Sequence, residues 1–368
     1  MLPVSKPSIG KEELKKIEEV FSTSWLGMGS VVKEFEDAIR DYLGVKHVVA
    51  VNTGTSAIHL AIDVLGIEPH DEIITPSLTY AAAIQAIVAC GGKPVFCDVE
   101  EETLNIDVAS IEDKLSKRTK AILPVHYCGN PVDMDAFLSL AQAHKLTVIE
   151  DACHSFGSIY KDKKIGSFGS MTCFSFDPVK VITCGEGGCI TTNNGTWADL
   201  LQKKRLLGID RDTWTRYKNE RSWYYDVTTQ GYRYHMSNIN AAIGLIQMKK
   251  IGQFIKRRQE LVKMYDSAFE GTPELSILKK DIEKISPYCY ILRVKKDRDR
   301  LMIFLKERGI ETGIHYIPNH LQSFFKKYAT KLPVTERIWQ EILTLPLYYD
   351  LSDDDVGLVI DSIKEFFK

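Results

Sequence analysis

Lys180 lies in Phe174-Ser175-Phe176-Asp177-Pro178-Val179-Lys180, closely followed by Gly185-Glu186-Gly187-Gly188. The run Met171 to Phe176 is apolar and β-prone and stops ahead of a proline. It therefore predicts a strand that ends there and leaves the lysine on an irregular loop with a turn-forming glycine cluster behind it. A partly desolvated amine in such a place can attack a carbonyl and form a Schiff base, the link that anchors pyridoxal phosphate (PLP). An ordinary loop lysine has the same local sequence, and the chain holds 47 Lys and Arg. The chemical reading therefore rests on the residues that accompany Lys180.

Three further stretches belong with it. Asn52-Thr53-Gly54-Thr55-Ser56-Ala57 follows one strand-like run and opens a helix-like one. Gly54 lets the backbone come close to a ligand, and free amides at the helix start with the hydroxyls of Thr55 and Ser56 make a phosphate site. Plain capping by Thr or Ser explains the same residues. In Thr75-Pro76-Ser77-Leu78-Thr79-Tyr80, the Tyr80 ring either stacks on a flat cofactor or belongs to the core. In Val148-Ile149-Glu150-Asp151-Ala152-Cys153-His154, Asp151 stands at the end of a buried strand, 29 residues before Lys180. Its carboxylate can pair with a protonated pyridine nitrogen and keep that ring electron-accepting, or it can cap the next element. His154 reads equally as a partner of Asp151 or as a satisfied core histidine. Ser175, five residues before Lys180, offers another hydroxyl to a phosphate.

These residues need strand ends to carry them. The predicted strands are His47 to Val51, Glu72 to Thr75, Pro94 to Cys97, Ala121 to Val125 and Leu146 to Ile149. The predicted helices between them are Ser56 to Leu65, Tyr80 to Ala89 and Asp133 to His144. This alternation specifies an α/β fold with a mostly parallel central sheet flanked by helices, in which ligands bind beyond the carboxyl ends of the strands. A long helix is predicted over Ser237 to Phe269, with a bend at Gly252. Strand-like Ser276 to Leu278 and Tyr288 to Val294 follow, then helical Asp297 to Arg308 and Asp353 to Phe367. The expected organisation is a large domain over 13–245 and a smaller α+β C-terminal domain over 246–368, with residues 1–12 packing nearby.

Composition narrows the function classes. With 44% hydrophobic and 26% charged residues and a net charge of -2, the chain has no electrostatic case for nucleic acid or an anionic membrane. The apolar run Ala81 to Cys90 is too short to span a bilayer, and the first ten residues show no secretory pattern, so a cytoplasmic protein is expected. Eight cysteines without a Cys-x-x-Cys pair suit reduced thiols in a core. His315 and His320 have no acidic or Cys neighbour close in sequence, so no metal is expected. A dinucleotide-dependent oxidoreductase would need Gly-x-Gly-x-x-Gly at its first helix, which Asn52 to Ala57 does not supply.

Taken together, Gly54-Thr55-Ser56-Ala57, Pro124-Val125-His126-Tyr127, Glu150-Asp151-Ala152 and Gly185-Glu186-Gly187-Gly188 make the chain resemble the DegT/StrS-type nucleotide-sugar aminotransferases. The resemblance runs from Gly27-Met28-Gly29 to Leu345-Pro346-Leu347. It implies a fold-type I PLP enzyme, with Lys180 anchoring PLP, Asp151 on the pyridine nitrogen, Tyr80 stacked on the ring, and Thr55, Ser56 and Ser175 on the phosphate. It places His154 beside the cofactor and the loop His315-Tyr316-Ile317-Pro318-Asn319-His320 near the sugar nucleotide, with Glu186 also facing substrate. The implied reaction moves an amino group from L-glutamate to a nucleotide-linked keto sugar, first a 4-keto-6-deoxyhexose and second a 3-keto sugar. The implied pathway is surface polysaccharide synthesis, O-antigen included, or synthesis of a glycosylated metabolite. A homodimer with shared sites is implied by Gly231 to Asn238, although Arg233 stands where the family commonly has Asn, and Val181 where Asn is frequent. The sugar-dehydratase branch carries His in place of the lysine, so Lys180 argues against it. The Asp151–Lys180 set likewise disfavours a PLP-binding homologue without turnover.

Overall fold

The computed structural model describes residues 1–210 and 225–368. In chain order the elements are α1 (Lys11–Ser22), α2 (Ser30–Leu43), β1 (His47–Val51), α3 (Gly54–Asp63), β2 (Glu72–Pro76), α4 (Ala81–Ala89), β3 (Lys93–Cys97), the single turn α5 (Ala109–Glu112), β4 (Thr119–Ile122), α6 (Met134–His144) and β5 (Thr147–Asp151). They continue with the hairpin β6–β7 (Ile159–Tyr160, Lys163–Lys164), β8 (Met171–Ser175), β9 (Gly188–Thr192), α7 (Gly195–Lys204), α8 (Asn238–Phe269), β10 (Leu275–Ile277), β11 (Tyr290–Val294), α9 (Arg298–Glu307), α10 (Pro333–Ile338), β12 (Ile342–Leu345) and α11 (Asp353–Phe366).

Seven strands form the central sheet in the order β1-β9-β8-β5-β4-β2-β3. From β8 to β3 every pair is parallel, while β9 runs antiparallel to both β8 and β1. Successive residues of these strands enter different cores, as the pleat requires. Val48, Ala50, Ile74, Ile122, Val148 and Phe174 pack on one face with α2, α6 and the first half of α8. Val49, Val51, Ile73, Ala121, Ile149 and Cys173 pack on the other with α3 and α4. Both faces being covered explains why the strands read as continuous apolar runs.

Because β9 is reversed, the loop from Phe176 to Gly187 turns back across the carboxyl edge of the sheet. Gly188 makes that return possible. A Cβ there would lie 2.4 Å from the Thr53 carbonyl oxygen and 2.7 Å from the Gly54 nitrogen. These are backbone atoms, so relief would require moving the start of α3. Gly188→Ala should therefore cost about 2 kcal/mol or more through overpacking, read as a lower urea midpoint at unchanged slope.

The second sheet, β10-β11-β12, is antiparallel and packs with α9 and α11 around Leu292, Leu301, Leu305, Leu343 and Val359. The first residues of the chain join this unit. The Leu2 amide donates to the Gly309 carbonyl at 2.6 Å, the Glu311 amide to Leu2 at 2.9 Å, and the Leu347 amide to Val4 at 3.1 Å. Helix α8 packs against α1 and α2 at one end and α11 toward the other, so residue 246 lies inside an element shared by both sheets. It is continuous through Gly252, where an added Cβ would meet nothing within 4 Å. Among the described residues no helix is long and apolar enough to cross a membrane.

Candidate active site

The ends of β1, β2, β5 and β8 meet in one cleft, partly open to solvent. Thr53, Gly54, Thr55, Thr79, Tyr80, Asp151, Cys153, His154, Ser175, Asp177, Lys180 and Glu186 line it. Four stretches widely separated in sequence thus meet where a parallel sheet binds ligands.

Lys180 is held by a loop that is bonded at its base. The Phe176 amide donates to the Gly187 carbonyl at 2.9 Å and the Cys184 amide to Phe176 at 2.8 Å. Nearer the tip, the Val179 amide donates to Asp177 Oδ1 at 2.9 Å and the Lys180 amide to the Asp177 carbonyl at 3.1 Å. Asn240 on α8 donates through Nδ2 to the Cys184 carbonyl at 2.8 Å. The amine itself sits 4.1 Å from the centre of the Tyr288 ring, a cation–π contact.

At the start of α3, Thr53 is the cap: its Oγ1 accepts the Ser56 amide at 3.0 Å, and the Ser56 hydroxyl donates to Asn52 Oδ1 at 2.7 Å. Capping therefore accounts for Ser56, which does not line the cleft. Thr55 is exposed to the cleft instead. Gly54 lies directly against Ser175, where an added Cβ would come within 2.6 Å of the serine Cβ and 3.0 Å of its hydroxyl. A helix start, the Thr55 side chain and the Ser175 hydroxyl thus converge on one concavity suited to a phosphate.

Asp151 is buried, and burial raises its carboxyl above the usual range. The Cys153 amide, donating to Oδ1 at 3.1 Å, and the positive charge of Lys180 act the other way. A carboxyl in that condition is stabilised by a cation placed opposite it. The neighbouring Glu150 points to the other face of the sheet. It accepts from the Gly169 amide at 2.6 Å and the Thr172 hydroxyl at 2.7 Å, and pairs with His126 Nε2 at 3.0 Å. The Val132 amide donates to His126 Nδ1 at 3.1 Å, which leaves the ring proton on Nε2, facing Glu150. This fully partnered set fixes the strand end that carries Asp151.

An aromatic wall closes the cleft from the second sheet. His154 stacks on Tyr288 at 4.3 Å and 10°, and its Nε2 meets the Tyr316 hydroxyl at 2.9 Å. Tyr316 is 5.7 Å from Tyr80, whose ring is 62% exposed and free to cover a flat ligand. Burial, then the nearby Lys180, holds His154 well below its ordinary range and His315 at about 4. The His154 Nδ1 is buried without a hydrogen-bond partner. That orphan nitrogen, the buried carboxyl and the Gly54 concavity all fit a planar, phosphorylated, cationic ring.

The two histidines also set a pH response. An unfolded imidazole takes up its proton near pH 6.5, whereas folded His315 does so only at about 4. Their neutral form contributes stability above pH 6.5 that is lost as pH falls through this window. Melting temperature should drop between pH 7 and 5, and His315→Asn should make that drop smaller.

Other expected site residues stand at the rim of the cleft or beyond it. Glu186 is at the exposed lip, its carboxyl raised by partial burial and by Asp177. His315 bonds Thr344 Oγ1 at 2.8 Å beneath the aromatic wall. His320 bonds Ser77 Oγ at 2.7 Å and does not line the cleft. Arg233 is exposed in a separate surface groove with Leu26, Leu206 and Leu207. Tyr288, which sequence reasoning missed as a site residue, is 108 positions from Lys180 and has no local signal beyond being an aromatic ahead of a strand. Among the described residues no group of three or more His, Cys, Asp or Glu could hold a metal.

Known proteins resemble this chain over its whole length. The profile of the DegT/DnrJ/EryC1/StrS aminotransferase family matches residues 7–364. The spore coat polysaccharide biosynthesis protein SpsC of Bacillus subtilis is 39% identical over 100% of this chain and 97% of its own. The aminotransferase TlmJ of Streptoalloteichus hindustanus superposes with a TM-score of 0.93 at 33% identity, covering 100% of this chain and 99% of that one. Spr1654 of Streptococcus pneumoniae, assigned to the sugar aminotransferases and solved in a PLP form, superposes with a TM-score of 0.92 at 28% identity, covering 99% and 98%. With its fold, its cleft and its relatives in agreement, the chain belongs to the DegT/DnrJ/EryC1/StrS family and is a PLP-dependent sugar aminotransferase.

Proposed function

We propose that this enzyme transfers the amino group of L-glutamate to the ketone of a nucleotide-linked 4-keto-6-deoxyhexose. The observation that carries the proposal is the meeting of Lys180, Asp151, Ser175 and the start of α3 in one cleft with an open mouth. Bound PLP supplies an electrophilic aldehyde and a ring that accepts the electron pair released at the donor α-carbon. Lys180 would hold that aldehyde through Nζ, and the same amine would serve as the proton carrier. Asp151 would face the pyridine nitrogen and favour its protonation, while Gly54, Thr55 and Ser175 would hold the phosphate. His154 stays neutral and offers Nδ1 to a polar ring substituent, with Tyr80 as the outer stacking face. Glu186, His315 and Tyr316 lie on the substrate side.

Arg233 lies outside the cleft of its own chain, and in this reading it reaches the cleft of a second copy in a homodimer. A guanidinium can grip a phosphate bidentately where an asparagine would give one amide contact. The test is incubation of the holoenzyme with glutamate and a panel of dTDP-, UDP- and GDP-linked 3-keto and 4-keto sugars, followed by mass analysis. Conversion of a 4-keto substrate to an amino sugar with 2-oxoglutarate released is expected. Exclusive conversion of 3-keto sugars, or of none, would overturn the reading.

A further inference from the structure

Two thiols meet behind the cleft and take no part in its chemistry. Cys128 lies on the turn Tyr127–Gly129 that follows β4, and Cys289 lies immediately before β11. Their sulfurs are 2.8 Å apart. Even unbonded carbon atoms settle at about 3.5–4 Å, and a disulfide is about 2.05 Å. Less than about 1 Å of approach therefore separates contact from a covalent bond.

The backbones on either side are already held together. The Tyr288 amide donates to the Cys128 carbonyl at 3.4 Å, and Asn130 Nδ2 donates to the Lys279 carbonyl at 3.0 Å. The Ser158 hydroxyl donates to the Gly129 carbonyl at 2.7 Å while accepting the Ser286 amide at 2.9 Å. Gly129 permits this closeness, since a Cβ there would lie 2.2 Å from the Ser286 carbonyl oxygen. Both thiols line a small pocket, partly open to solvent, together with Asn130, Leu278, Lys280 and Pro287. Cys289 is only half-buried, whereas Cys128 is buried.

We propose that Cys128 and Cys289 form a redox modification site that takes a small-molecule disulfide as its oxidant and becomes a cross-link between the two sheets. The Cys289 thiolate attacks one sulfur of the incoming disulfide and expels one thiolate. Cys128 then attacks the Cys289 sulfur of the mixed disulfide and expels the second. One S–S bond is broken and one formed, two electrons pass to the oxidant, and the two protons go to its leaving thiolates. Burial raises the Cys128 thiol well above its ordinary range, which makes the more accessible Cys289 the entry point. A reversible pair of this kind suits a reducing compartment, where disulfides are transient and sensing. The bond would pin Cys289, and with it the neighbouring Tyr288 ring under the Lys180 amine. It would form whatever sugar the cleft accepts.

The test treats native holoenzyme with oxidised glutathione, blocks remaining thiols with N-ethylmaleimide and maps the peptides by mass. A Cys128–Cys289 peptide that disappears with dithiothreitol is expected. The oxidised protein should melt on the order of 5 °C higher, because the bond closes a long loop. Neither effect should occur in Cys289→Ser or Cys128→Ala. Glutathione left on Cys289 as a stable mixed disulfide, or both thiols recovered alkylated after oxidation, would overturn the proposal.

Discussion

Lys180→Ala is expected to lower transamination by about 10⁴-fold or more, since one substitution removes both the covalent anchor and the proton carrier. Its side chain stands at a loop tip and touches the Tyr288 ring, while the hydrogen bonds that shape the loop are made by backbone, Asp177, Thr183 and Asn240. The variant should therefore melt within about 1 °C of the parent, which separates loss of chemistry from loss of fold. Two readouts check it: single-turnover amino transfer from glutamate, and fixation of the yellow cofactor to the chain by borohydride. Wild-type turnover in the variant would refute the assignment of Lys180.

Asp151→Asn comes next in size. The amide oxygen can still accept the Cys153 amide, so the shape of the β5 end survives while its negative charge is lost. Without that charge nothing opposite a pyridine nitrogen favours its protonation. Turnover should fall about 10³-fold with little change in donor KM, the pattern of an interaction that matters most as negative charge develops in the ring. The pH dependence of the bound chromophore should shift with it. A variant that keeps turnover within about tenfold of the parent would show that another group holds the ring charged.

How much of this was legible before the fold was known differs from residue to residue. The strand ends that present Asp151 and Ser175 were readable because buried parallel strands are short apolar runs bounded by turn residues. The amphipathic stripe Val32, Phe35, Ile39 and Leu43 of α2 obeys helical spacing and could have been read, yet it stays unassigned at that level. Strand β9 was hidden, since Gly185 to Gly188 reads as a turn and Gly188 is its first residue. Thr53 and Ser56 were ambiguous for a chemical reason: a helix cap and a phosphate cradle call for the same residues. The Tyr288 and Cys289 contacts depend on the second sheet docking against the first, which no local pattern encodes. Arg233 has a chemical identity legible in sequence, but nothing local to it foretold a groove separate from the cleft.

The pairing of Leu2 and Val4 with Gly309, Glu311 and Leu347 has a bearing on how the chain is made. Residues 2 and 4 complete an edge whose other half, at 309–347, is synthesised much later. That closure cannot be finished co-translationally until Leu347 has emerged. A fragment beginning at residue 246 would carry the amides of Glu311 and Leu347 and the carbonyl of Gly309 without their native acceptors and donor.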